Sequence, residues 1–114
     1  NMKPDDKIRL RHMLDAAQEA ITFLQTLKGE RLGNNRLVSQ AIVRLIEVVG
    51  EAAVQISKEY KTAHPELLWA QIIGMRNRII HAYFDIDYEL VENTIKVDFP
   101  KLINQLIKLI NDYK

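Results

Sequence analysis

The 114-residue chain contains no cysteine. A disulfide scaffold and a thiolate metal site are therefore both excluded, and this usage fits a reducing cytosol. No repeat, linker or low-complexity tract is visible, and glycine and proline are few, at four and three residues. Long apolar runs are missing too. None approaches the ~20 residues of a membrane span, and the opening stretch "NMKPDDKIRLRH" lacks the apolar region of a signal peptide. Asn1, ahead of Met2, is given no functional weight. These absences predict a cytoplasmic protein with no membrane association. Nor is there an excess of one charge. The formal net charge is +1, whereas a protein that holds nucleic acid mainly by neutralising phosphates carries a strong basic excess. Any nucleic-acid role must then rest on a local site, concentrated by oligomerisation. The three histidines are spread over positions 12, 64 and 81, which argues against a His-rich metal cluster.

What is present suffices for one domain spanning residues 1–114: 47% of the residues are hydrophobic and 27% charged. With positions advancing about 100° per residue, four segments gather their apolar side chains on one arc. The first runs from about Asp5 to Lys28, with Leu10, Met13, Leu14, Ala16, Ala17, Ala20, Ile21, Leu24 and Leu27 facing inward and Gly29 as the stop. Asn34 or Asn35 caps a second, ending near Ser57 or Tyr60, whose arc holds Leu37, Ala41, Ile42, Leu45, Ile46, Val48, Val49 and Ala52. A third follows "AHPEL", where Pro65 suits a first helical turn, and continues to about His81; Gly74 could loosen it. "DID" at 85–87 offers a cap for a fourth, reaching about Asn111, with Val91, Ile95, Phe99, Leu102, Ile103, Leu106 and Ile110 on one face. Pro100 cannot donate its backbone hydrogen bond, so a kink is expected near residues 96–99. Sustained period-two alternation and a convincing hairpin turn are both absent. The fold predicted is all-α, a four-helix bundle with short connections.

The third segment carries misplaced charges. In "GMRNRIIHAYF", residues 74–84, Arg76 falls between Ile72 and Trp69 in the middle of an apolar arc roughly 160° wide. Arginine is seldom buried without a partner. Asn77 and His81 lie on the shoulder of that arc, Arg78 points to solvent, and Tyr83 projects almost in line with Arg76. Each has a bland reading: Arg76 pairing with Glu47 or Glu51 of the second helix or snorkelling out, His81 answering the helix dipole at a C-terminus, Tyr83 at a core edge. "RLRH" at 9–12 and "KEYK" at 58–61 read as solvated faces. Glu47 and Glu51, with no histidine beside them, read as surface charges or as partners for Arg44 and Arg76.

Together Arg76, His81 and Tyr83 form R-x4-H-x-Y, and here the sequence resembles a known family. "MRNRIIHAYFDID" is similar to the signature segment of the HepT-like toxins, a branch of the HEPN superfamily. "RLIEVVGEAAVQIS", "HPELLWAQIIGMRN" and "DFPKL" extend the likeness over nearly the whole chain. R-x4-H alone would be weak; the combination is specific. One departure is Glu92 in "YELVENTI", where a tryptophan is common; it bears on packing of the last helix or of a dimer and leaves the motif intact.

The resemblance implies an all-helical, HEPN-like bundle acting as a metal-independent endoribonuclease on RNA, with no cofactor and no metal site. It implies a symmetric homodimer whose Arg and His motifs meet at a shared cleft. It also implies a partner antitoxin, a minimal nucleotidyltransferase (MNT), which inactivates the toxin by AMP transfer to the motif tyrosine. Carried over by position, catalysis falls on Arg76 and His81, support on Asn77, and modification on Tyr83. The chemistry is consistent with this: RNA brings its own nucleophile, histidine exchanges protons near neutrality, and a guanidinium grips phosphate oxygens. One His and one Arg per chain is an incomplete acid–base set, which two copies would complete. On a continuous helix positions 76 and 81 would diverge by about 140°, so a helix ending before His81, a long reach by Arg76, or an Arg and a His from different chains all remain open. The alternatives are a non-catalytic subunit that binds nucleotide or presents substrate to a nucleotidyltransferase, and a purely structural helical dimer.

Overall fold

A computed structural model describes residues 3–82 and 85–112. Its helices are α1 (Pro4–Gln25), α2 (Arg36–Gln55), α3 (Lys58–Ala63), α4 (Trp69–Ile79), α5 (Tyr88–Asn93) and α6 (Phe99–Asn111). A short 3-10 turn, Leu32–Asn34, precedes α2, and a π-helical turn, Thr94–Asp98, joins α5 to α6. The architecture is all-α. α1 packs against α2 and α6, and α2 carries α4 on its other flank.

Local chemistry explains most of these boundaries. Pro4 opens α1, where its missing N–H costs nothing, and the acidic Asp5 and Asp6 suit the positive end of the helix. Past Gln25 the chain closes a turn through Lys28 (φ 50) and Gly29 (φ 92), with the Glu30 N–H donating to Leu27 O. Asn35 caps α2 through a 3.0 Å bond to the Val38 N–H, as the sequence suggested. The helix stops at Gln55, because Ile56 is extended and Ser57 becomes the N-cap of a separate short helix, its hydroxyl accepting from the Tyr60 N–H. The buried carboxylate of Asp6 holds that corner: it accepts from the Ser57 N–H at 2.8 Å and from the Ser57 hydroxyl at 2.7 Å. "KEYK" is therefore a helix with Tyr60 in the core, although its charged side chains do face outward.

Three further expectations need correction. Pro65 lies in a turn ahead of α4 and not in its first helical turn; the Trp69 indole N–H closes that turn on His64 O at 2.9 Å. α4 passes through Gly74 unbroken but ends at Ile79, short of His81. Beyond it, Ile80–Ala82 (β1) pairs antiparallel with Asp85–Ile86 (β2), Ile80 facing Ile86. This ribbon is too short to show alternation in the sequence, and alternation is the signal by which strands are read. Just ahead of Pro100 the chain makes the π turn, where one residue more than usual fits in the turn, and Pro100 is the second residue of α6.

The buried side chains form one cluster in which Leu10, Met13, Ala17 and Ala20 of α1 meet Ile42, Ile46 and Val49 of α2 and Val91, Ile95, Phe99 and Leu106 of the last helical stretch. Leu37, expected inside, is 80% exposed. No helix among the described residues is long and apolar enough to cross a membrane.

Candidate active site

α4 crosses α2 closely at Gly50, where a Cβ would stand 3.5 Å from the carbonyl oxygens of Ile72 and Ile73. This crossing sets the next turn of α4 beside Glu47, one turn earlier on α2. Arg76 reaches across and its Nε donates to Glu47 Oε2 at 2.6 Å. The Arg76 side chain is 51% exposed and that of Glu47 only 23%. The arginine is thus not buried unaided, as its place on the apolar arc suggested. A carboxylate of the same chain answers it, Glu47 being one of the two partners the sequence offered. Glu47 is met through Nε, so neither Nη group is spent on that carboxylate. Arg44 donates through Nη1 to Glu51 of its own helix, at 3.3 Å.

His81 stands two positions beyond the end of α4, in β1. Its orientation is therefore set by an extended backbone, and the helical divergence of about 140° from Arg76 does not apply. The imidazole is half exposed, and Nε2 lies 3.9 Å from Asp87 Oδ2. Asp87 is the N-cap of α5: its Oδ1 accepts from the Leu90 N–H at 3.0 Å. Asn77, like Arg78, is exposed on the last turn of α4. Tyr83 lies outside the described residues. The structure thus places Arg76, Asn77 and His81 on solvent-facing positions at one end of α4 and in the strand that follows. Sequence reasoning named Glu47 as a partner. It read Asp87 only within a cap, because nothing in the sequence shows that the cap carboxylate also faces the imidazole.

The other histidines have different settings. His12 is exposed on α1, whereas His64 stacks on Tyr60, with ring centroids 4.3 Å apart, and pairs with Glu66 at 3.2 Å. Glu66 titrates below its usual range, chiefly through a hydrogen bond from its own backbone N–H and then through His64. No three His, Asp or Glu side chains among the described residues stand together as a metal ion would need. Glu92, at the position where the resembling family often has tryptophan, is partly buried and pairs with Lys96 at 3.6 Å.

Two clefts mark the surface. One, about 810 Å³, is lined by Lys28, Arg31, Tyr88, Glu89, Glu92 and Lys96 among others; the second, about 240 Å³, lies between α4 and α6. Neither includes Arg76, Asn77 or His81. The candidate site as described is a cation and an imidazole, each about half exposed, with the two carboxylates that face them.

An all-helical chain with a half-exposed arginine and, five residues on, a half-exposed histidine fits the class of RNA-cleaving proteins. Comparison with known families makes the assignment definite: the family described as "Ribonuclease HepT-like" matches residues 13–109, and the chain belongs to it. The chain is 34% identical over 100 residues to "Putative RNase MJ1380" of Methanocaldococcus jannaschii, covering 88% of this chain and 92% of that one. It is 32% identical over 108 residues to "Probable ribonuclease HepT" of Thermococcus cleftensis, covering 95% and 98%. To "Putative RNase TTE0752" of Caldanaerobacter subterraneus it is 30% identical over 105 residues, covering 92% and 94%. No solved structure matches the chain.

Proposed function

We propose that this protein is the toxin of a type VII HEPN/MNT toxin–antitoxin pair, a metal-independent endoribonuclease that acts as a homodimer. The observation that carries the reading is that Arg76 and His81 are both open to solvent, each beside a carboxylate from another part of the chain. In the reaction, the RNA 2′-hydroxyl gives its proton to one imidazole as O2′ attacks phosphorus. The P–O5′ bond breaks, and a second imidazole protonates the departing O5′, leaving a cyclic 2′,3′-phosphate. Arg76, with its Nη groups unspent on Glu47, meets the charge that grows on the phosphoryl oxygens. Asn77 adds a neutral donor next to it. One chain supplies one imidazole at this site, so the acid–base pair needs His81 of two copies.

Tyr83 is the proposed acceptor for control by a minimal nucleotidyltransferase antitoxin. Its hydroxyl attacks the α-phosphorus of ATP, pyrophosphate leaves, and the new phosphodiester carries a charge of about −1. That anion competes with the scissile phosphate for Arg76.

The test is cleavage of RNA by purified protein in EDTA. Wild type is expected to cleave, and Arg76→Ala and His81→Ala are each expected to lose ~10²–10⁴ in rate while remaining folded. The same protein, treated with ATP, magnesium and the partner, should carry AMP on Tyr83 by mass spectrometry and stop cleaving. A requirement for divalent metal in cleavage, or wild-type rates in both variants, would overturn the nuclease reading. A folded protein without cleavage would favour the non-catalytic one. AMP on a different tyrosine would overturn the control mechanism.

A further inference from the structure

We propose that Asp87 is a positioning residue for His81, holding the imidazole so that Nδ1 is the nitrogen presented to substrate. The inference rests on the ribonuclease reading above for its kinetic consequence, and on geometry alone for the pairing itself.

Both ends of Asp87 are fixed. Its backbone N–H donates to Ile79 O at 2.8 Å, which ties it to the last residue of α4. Its Oδ1 is committed to the Leu90 N–H at 3.0 Å as the cap of α5. With backbone and Oδ1 both held, Oδ2 has little freedom, and it lies on the Nε2 side of His81, 3.9 Å away. His81 is held from the other direction through its neighbours: Ile80 faces Ile86 and Ala82 faces Asp85, with His81 at the register slip between them, and β2 runs into Asp87. One short ribbon thus places a charged acceptor against a proton-exchanging ring.

At 3.9 Å there is no hydrogen bond. Such contacts are often long in the free protein and tighten when substrate closes the site. The carboxylate then fixes the ring and favours a hydrogen on Nε2, leaving Nδ1 bare to take the 2′-hydroxyl proton. When that proton arrives, the carboxylate stabilises the imidazolium and does not itself become protonated. This role is distinct from that of Glu47, which acts on the arginine and approaches from α2.

The cap offers a clean separation of roles. Asparagine caps helices about as well as aspartate, so Asp87→Asn keeps the α5 cap and removes only the charge facing His81. Wild type, Asp87→Asn and Asp87→Ala are compared for melting temperature, for kcat and KM on RNA, and for mobility of the His81 ring by carbon-13 relaxation. Asp87→Asn is expected to melt with wild type, keep its KM and lose ~10-fold or more in kcat. That is short of the ~10⁴ of a buried triad, because both groups here are about half exposed. Asp87→Ala is expected to lose melting temperature as well. In both variants the His81 ring should become more mobile. Asp87→Asn with wild-type kcat, or with unchanged ring mobility, would overturn the proposal. If wild type itself fails to cleave RNA, the ribonuclease reading falls, and ring mobility still decides whether Asp87 holds His81.

Discussion

Tyr60 is 4% exposed, and its hydroxyl oxygen finds no hydrogen-bond partner among the described residues. Its ring lies against His64 and meets Trp69 edge-on, with centroids 6.5 Å apart. The ring therefore stabilises the α3 corner, while the hydroxyl brings an unmet cost of roughly 1–3 kcal/mol. Burial, and then the charges of Glu66, Asp6 and Asp112, push its pKa up to about 12. In the unfolded chain the phenol titrates near ~10, so the unfolded state loses this proton first. The resulting stabilisation is complete below that value and disappears as pH rises from about 10 to 12. Tyr60→Phe is expected to be at least as stable as wild type at pH 7, with a gain of about 1 kcal/mol, and to lose less stability above pH ~10. Urea titrations of both proteins across that range check it. At the same scale, Arg76 shows how far the sequence carried. A charge on an apolar arc singled out the position and Glu47 or Glu51 as its partner, but a wheel drawn for one helix cannot choose between the two carboxylates, which the crossing of α4 over α2 decides for Glu47.

α4 brings Gly74 into the middle of a helix that bears the site. A Cβ there would meet nothing closer than Arg78 Nη1, at 3.5 Å. Glycine in a helix interior costs ~0.5–1 kcal/mol relative to alanine. Gly74→Ala should therefore raise stability by about that amount, or several degrees in melting temperature. A loss of stability would show that α4 needs its looseness. Among elements, the long helices were legible because their apolar arcs are broad: Leu10, Met13, Leu14, Ala16, Ala17, Ala20 and Leu27 of the first arc are all buried. Leu37 failed, since it belongs to the opening turn of α2, where no neighbour covers it. The separate helix that follows Ser57, the end of α4 at Ile79 and the β1–β2 ribbon were illegible. Each is decided by a distant contact, such as Asp6 reaching Ser57 across 51 residues, or by strands too short to have a period.

At the scale of the molecule, a single chain has a Cα radius of gyration of 14.3 Å and extents of 44 × 27 × 19 Å. The proposed acid–base pair requires a second copy, and a compact assembly of twice the length would have a radius near ~17 Å. X-ray scattering with in-line light scattering is expected to give the dimer mass and a radius near that larger value at micromolar concentration. A monomer that still cleaves RNA would remove the need for a composite site. Glu47 of the same chain already answers Arg76, so the case for the dimer lies in the acid–base chemistry and in the family resemblance.

The change from α4 to β1 between Arg76 and His81 has a consequence for how the spacing of the two residues can drift. Along a helix, each added residue turns every later side chain by about 100°, and no small insertion restores the original bearing. In β1 the register slips by one residue at His81: Ile80 faces Ile86 and Ala82 faces Asp85. His81 is thus the extra residue of a bulge, which re-aims its side chain and frees it from strict alternation. The arginine-to-histidine interval is set at its near end by the turn of α4 and at its far end by a slip in the ladder, so a change of length at His81 alters the bulge and leaves the bearing of Arg76 as it is.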